Sequence, residues 1–168
     1  YNPGGGNETN AWTVVISGDD ATIANAADLN AIDSSTSVAL DASNVTSITG
    51  TASALNTTYT AATNGTITGL NAKNGEEAII LSDTAATSAS TVHTLKNTID
   101  NVAATQSPAV TPANINAASV TSFSGVALDL LAVYSAGNTG RITGLGVEDI
   151  TVDDFYRVFC RRKCPRSW

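Results

Sequence analysis

Apolar residues along this chain fall in short clusters, separated by Thr, Ser, Ala, Asn and Gly, and one long cluster pattern occurs twice. Residues 43–70 read SNVTSITGTASALNTTYTAATNGTITGL. Residues 118–145, shifted by a constant 75 positions, read ASVTSFSGVALDLLAVYSAGNTGRITGL. Val45 falls on Val120, Ile48 on Phe123, Gly50 on Gly125, Leu55 on Leu130, Tyr59 on Tyr134, Gly65 on Gly140 and Gly69 on Gly144. In each copy a β-branched run around Val45 and Ile48 suits a short strand. Gly50 breaks it, and Thr51 or Ser53 can cap a helix by accepting from an orphan backbone N–H. Leu55 and Tyr59, at i and i+4, share one helical face. Asn64-Gly65 then signals a turn. The second helix is greasier, with Leu128, Leu130, Leu131, Val133 and Tyr134.

The remaining pattern is consistent with this unit. Residues 14–16 (VVI) make a first strand candidate, followed by a helix near residues 23–32 that carries Leu29 and Ile32. In the loop at 33–42, Val38 and Leu40 are expected to point inward. Residues 78–81 (AIIL) repeat the strand signal. Val92, Leu95 and Ile99 mark an amphipathic helix over 87–100. Pro108 and Pro112 make 101–114 a longer connection. Residues 149–152 (DITV) echo AIIL. Alternating strands and helices point to parallel strands with crossover helices. A unit this short cannot bury both its faces alone, so stacked neighbours share a core. The expected fold is an α/β repeat, a solenoid of short parallel strands alternating with short helices. A closed or doubly wound α/β domain and a β-helix (β-solenoid) are the alternatives. The expected division is a flexible lead-in at 1–13, a repeat domain at 14–154 and a basic cap or tail at 155–168. Trp12 is a candidate cover for the open end of the stack.

Composition changes this picture in two places. Charged residues make up only 14% and aromatics 5%, with no methionine, yet the recurrent Val, Ile and Leu argue against disorder. All fifteen acids precede residue 157, whereas five of the eight bases (Arg157, Arg161, Arg162, Lys163 and Arg166) follow Tyr156. An acidic body does not favour nucleic acid, which requires neutralising cations. No stretch approaches the ~20 apolar residues of a membrane span. The absence of an initiator Met before Tyr1 suggests a processed or excised fragment.

The phrases VTSITGTASALNTTYTA, GTITGL and AIILSDTAAT resemble the Ala/Thr-rich tandem repeats of large surface or secreted proteins of marine cyanobacteria and related bacteria, over roughly residues 14–154. The resemblance implies an extracellular or cell-surface segment with a structural or adhesive, non-enzymatic role. The tail FYRVFCRRKCPRSW departs from that style.

Candidate chemistry is sparse. Acids recur at turns: Asp19, Asp20, Glu76, Glu77, Asp83, Glu148, Asp149, Asp153 and Asp154. Calcium takes six to eight oxygens, and stacked turns can supply them. Neither the glycine-rich calcium nonapeptide nor an EF-hand loop is present, and helix capping accounts for the same residues. No resident cofactor is expected, with calcium the one candidate ion. Threonines including Thr46, Thr49, Thr66 and Thr68 suggest a hydroxyl array for a glycan or ice surface, but they do not keep register between copies. His93, the only histidine, lacks a nucleophile signal such as GxSxG. Asp129 and the turn acids are the only candidates for paired-carboxylate catalysis, and their spacing does not cluster them. Cys160 and Cys164 are spaced CxxxC without a continuing zinc pattern. Tyr59 and Tyr134 are matched layer-filling aromatics. The expected partners are further copies through the solenoid ends and a cell-surface glycan, with calcium or glycan binding the alternative to a purely structural role.

Overall fold

The computed structural model describes residues 11–71, 76–84 and 86–145, apart from the side chains of residues 20 and 21. The chain is α/β. Its nine described strands are β1 (Ala24–Asn25), β2 (Leu40–Asp41), β3 (Ser47–Gly50), β4 (Ile67–Thr68), β5 (Ala78–Leu81), β6 (Thr87–Ser88), β7 (Ile115–Asn116), β8 (Phe123–Ser124) and β9 (Ile142–Thr143). The helices are α1 (Asp19–Thr22), α2 (Ala26–Ser35), α3 (Ala52–Asn64), α4 (Ala89–Thr105) and α5 (Ala127–Asn138). A five-stranded sheet runs β1-β3-β5-β7-β9, flanked by the pairs β2-β4 and β6-β8, and every pairing is parallel. Parallel neighbours need crossovers, and here the helices supply most of them. Helices α2 to α5 pack against one another in chain order.

Local chemistry sets the longer helices. Thr51 caps α3 by accepting from Ala54 N at 3.2 Å. Leu55, Thr58 and Tyr59 are its buried face. Gly65 ends it at φ 77°, a left-handed conformation that a side chain resists. Ser88 caps α4 through Thr91 N at 3.3 Å, and Val92, Leu95, Ile99 and Val102 form one buried stripe. Asn25 caps α2 through Ala27 N at 2.8 Å. Six of these residues, Leu55, Tyr59, Val92, Leu95, Ile99 and Val102, belong to one continuous core with Leu40, Ile48, Ile67, Ile79, Ile115 and Ile142 of the strands. Truncating such a buried Leu or Ile to Ala costs about 2–5 kcal/mol.

Main-chain bonds recur along the chain. Leu40 N donates to Thr66 O (2.8 Å) and Ile115 N to Arg141 O (3.0 Å). Ala42 N donates to Thr68 O and Ala117 N to Thr143 O, both at 2.8 Å. Val45 N donates to Ala42 O and Val120 N to Ala117 O, both at 3.0 Å. Leu40 stands opposite Ile67 in register, and Ile115 opposite Ile142. Gly69 and Gly144 sit at φ 85° and 74°, each with the backbone of the facing residue, Ser43 or Ala118, where a Cβ would go. The surroundings differ at one point. β7 is joined on its other side by β5, whereas β2 receives only the single bridge from Val15 to Asp41.

Several expectations are corrected. Residues 14–16 make that lone bridge and no strand of their own. The helix expected at 23–32 starts at Ala26, because Ala24–Asn25 pairs with β3. Leu40 is buried, but Val38 is 36% exposed. Trp12 is 69% exposed and covers little; it only borders a shallow hollow with Val14 and Ile32. A second strand, β6, intervenes between the AIIL strand and its helix.

Candidate functional site

The most developed polar cluster joins the two described ends of the connection from β4 to β5. Tyr59 comes from α3 and is fully buried. Its hydroxyl donates to Glu77 Oε1. Glu77, itself 3% exposed, takes Asn71 N on its other oxygen at 2.9 Å. Asn71, also buried, has φ 56°. Its Nδ2 donates to Ile99 O at 3.2 Å, and its Oδ1 accepts from Ala113 N at 3.0 Å. One network therefore ties α3, the connecting loop, α4 and the segment before β7. Burial raises the Tyr59 pKa well above its ordinary value, and the Glu77 charge and their shared hydrogen bond raise it further. A phenol held neutral against a carboxylate, sealed from water, is arranged to clamp a loop rather than to exchange protons.

A second cluster sits on the outer side of α4. Asp100 takes Lys96 Nζ at 2.6 Å and Arg141 Nη2 at 2.5 Å. Arg141 Nη1 also donates to Pro112 O, Ala113 O and Asn114 Oδ1. The guanidinium thus staples the proline-containing connection to α4 and β9. His93 Nδ1 lies 3.5 Å from Asp129 Oδ1, joining α4 to α5, with both side chains part-exposed. Among the described hydrogen bonds no hydroxyl reaches His93.

Among the described residues the turn acids do not converge. Asp19 opens α1, Glu76 is exposed and Glu77 belongs to the tyrosine network. Asp83 Oδ2 accepts from Ala52 N at 2.8 Å and so supports the N-terminus of α3 from a distant segment. Among the described residues no group of three or more His, Cys, Asp and Glu could hold a metal ion. The Asp20 side chain and all of Glu148, Asp149, Asp153, Asp154, Cys160 and Cys164 lie outside the described residues. Threonine hydroxyls are spent on main chain: Thr46 on Thr22 O, Thr68 on Leu40 O and Thr143 on Ile115 O. Asp41 accepts from Ser43 N at 2.9 Å, and its bonds to the Ser43 hydroxyl and amide hold its carboxyl below the usual range. Among the described residues no helix is long and apolar enough to cross a membrane.

The sequence pointed to Tyr59 through its match with Tyr134, but it carried no sign that Glu77 is its partner. The Asp100–Arg141 and His93–Asp129 pairs join positions 41 and 36 apart, with no local pattern to reveal them. No protein-family model, curated protein or solved structure matches the chain.

Proposed function

We propose that this chain is a non-enzymatic extracellular repeat module: an α/β solenoid segment with a structural or adhesive role. The observation that carries this reading is the set of main-chain bonds repeated at a constant 75-residue spacing around residues 43–70 and 118–145. Each copy is too small to bury its own two faces, so stacking is its source of stability. The buried polar groups support the same reading. Tyr59, Glu77 and Asn71, with the half-buried Asp83, are bonded within the fold and hold loops and a helix end, a scaffold role for Glu77 and Asp83.

The adhesive side rests on surface apolar residues. Trp12, Val15 and Ile23 are exposed near the first strands, as are Val126, just before α5, and Leu128 and Leu131 on it. Self-association of copies through these regions is the partner interaction this reading favours. Thermal unfolding in calcium and in chelator, paired with sedimentation over a concentration series, tests it. The expected result is an unchanged midpoint with mass rising with concentration. A midpoint raised by calcium contradicts the reading, since an ion at a hundred times its Kd adds about 2.7 kcal/mol. Retention on a panel of glycans would move the module to carbohydrate binding.

A further inference from the structure

The two halves of the repeat differ in what lies beside them. In the first, β3 is paired on both sides, by β1 and by β5, and Ser47, Ile48 and Gly50 are buried. Its counterpart β8 pairs with β6 on one side, and no described strand takes the other. Ser122, Ser124 and Gly125 are exposed, and a hollow of about 330 Å³ opens beside Val120, Phe123 and Tyr134. The helices show the same contrast. Asn56 Oδ1 on α3 accepts from the Thr98 hydroxyl of α4 at 3.0 Å, whereas Leu131, 75 positions after Asn56, is 37% exposed on α5.

The other end of the described chain carries the complementary surface. Residues 14–16 stand to β2 as β5 stands to β7. Val15 bridges Asp41, and Ile80 pairs with Asn116, 75 positions after Asp41. That register sets Val14 on Ile79 and Ile16 on Leu81, and Ile16 and Leu81 are both buried. β5 offers β3 its other edge, where Ala78 N donates to Thr46 O and Ser82 N to Gly50 O. In residues 14–16, Val14 O and Ile16 N are engaged with Asp41, so the amides of Thr13, Val15 and Ser17 face away from β2. Helix α2 matches α4 as well. Asn25 and Ser88 cap them, and Ala26 and Ala89 follow, both fully buried. Counting on, Ile32 falls on Leu95 and Ser35 on Thr98. Leu95 is fully buried, whereas Ile32 is half-buried and lines an apolar hollow of about 300 Å³ with Trp12, Val14 and Ser35.

We infer that a second copy of this chain docks head to tail, its residues 14–16 pairing with the open side of β8 as β5 pairs with β3, and its α2 lying on α5 as α4 lies on α3. The register sets Phe123 against Val14 of the neighbouring chain, Ser124 against its Val15 and Gly125 against its Ile16. Leu131 then meets the hollow beside its Ile32. The inference rests on the repeat-module reading above and gives the self-association named there a direction. The two surfaces differ, so the contact is heterologous, and every added chain presents a fresh β8 edge. Growth is open-ended rather than a closed pair.

Two blocked variants of the full chain test it. Val15→Pro removes an outward amide from the docking edge, where an edge segment tolerates proline. Leu131→Arg puts a charge into the helix contact. Urea midpoints near that of wild type establish that both fold; where one does not, Thr13→Pro or Leu131→Gln takes its place. Sedimentation of the wild type should show mass rising through successive oligomers. Each variant alone should associate at least about thirtyfold more weakly. Mixed in equal amounts, they should form a 1:1 dimer and nothing larger, through the one intact pair of surfaces. A monomeric wild type overturns the inference, as does a mixture no more associated than its components, or a variant that associates as the wild type does. Wild-type association without this complementarity overturns the inference alone, because the repeat-module reading answers separately to the calcium midpoint.

Discussion

Tyr59→Phe removes one oxygen from the centre of the buried network and leaves the ring in place. The Tyr59 hydroxyl donates to a carboxylate that is 3% exposed, and no water can replace it without opening the fold. A hydrogen bond to a charged group contributes about 1.5–3 kcal/mol. For a chain of this size each kcal/mol shifts the midpoint by about 2–4 °C, so Tyr59→Phe should lower Tm by about 3–12 °C. The alkaline limb gives a second signature. The folded pKa of Tyr59 lies well above its ordinary value, so its contribution is intact below about pH 10, the unfolded value, and declines as pH rises toward the folded one. In that window the unfolded chain has lost the proton and the folded chain retains it. Wild type should then lose about 1.4 kcal/mol more per pH unit than Tyr59→Phe. Urea unfolding followed by circular dichroism between pH 7 and 11 measures both effects. A variant within 0.5 kcal/mol of wild type at pH 7 (about the spread of an ordinary surface change), with a parallel alkaline limb, would refute the buried clamp.

Two further substitutions probe the packing. Gly69 has φ 85°, and a Cβ there would lie 2.5 Å from Ser43 backbone, whereas Gly65, at φ 77°, has nothing within 4 Å. Gly69→Ala should cost about 2–5 kcal/mol and Gly65→Ala only about 1–2 kcal/mol, in urea midpoints; equal costs contradict the close approach. Ser47 Oγ is buried without a described partner, so Ser47→Ala should raise stability by about 0.5–2 kcal/mol, and a lowered Tm would show that the hydroxyl is bonded.

Elements with enough residues to display a period were legible. Val92, Leu95 and Ile99 announced α4, though the helix continues to Thr105 because Val102 and Ala103 extend its buried stripe. Thr51, Leu55, Tyr59 and Gly65 each do in α3 what their residue types suggest. Two-residue strands such as β1, β6 and β7 were not legible, since two positions cannot show an alternation. Val38 misled because a hydrophobic residue in a loop need not face the core. The acids were noticed for recurring at turns, yet Glu77 turned inward to Tyr59 while its neighbour Glu76 stayed exposed, and Asp83 capped a helix 31 residues away. Those outcomes depend on which segments tertiary packing brings together, and the local sequence does not record it.

Amide hydrogen exchange resolved residue by residue tests most directly whether one small unit is built twice into this chain. Leu40, Ala42, Val45 and Thr66 donate main-chain bonds matched by those of Ile115, Ala117, Val120 and Arg141. The account predicts slow exchange at all eight amides, with the order of protection repeated at the 75-residue spacing. Protection in the first set with rapid exchange throughout the second would contradict it.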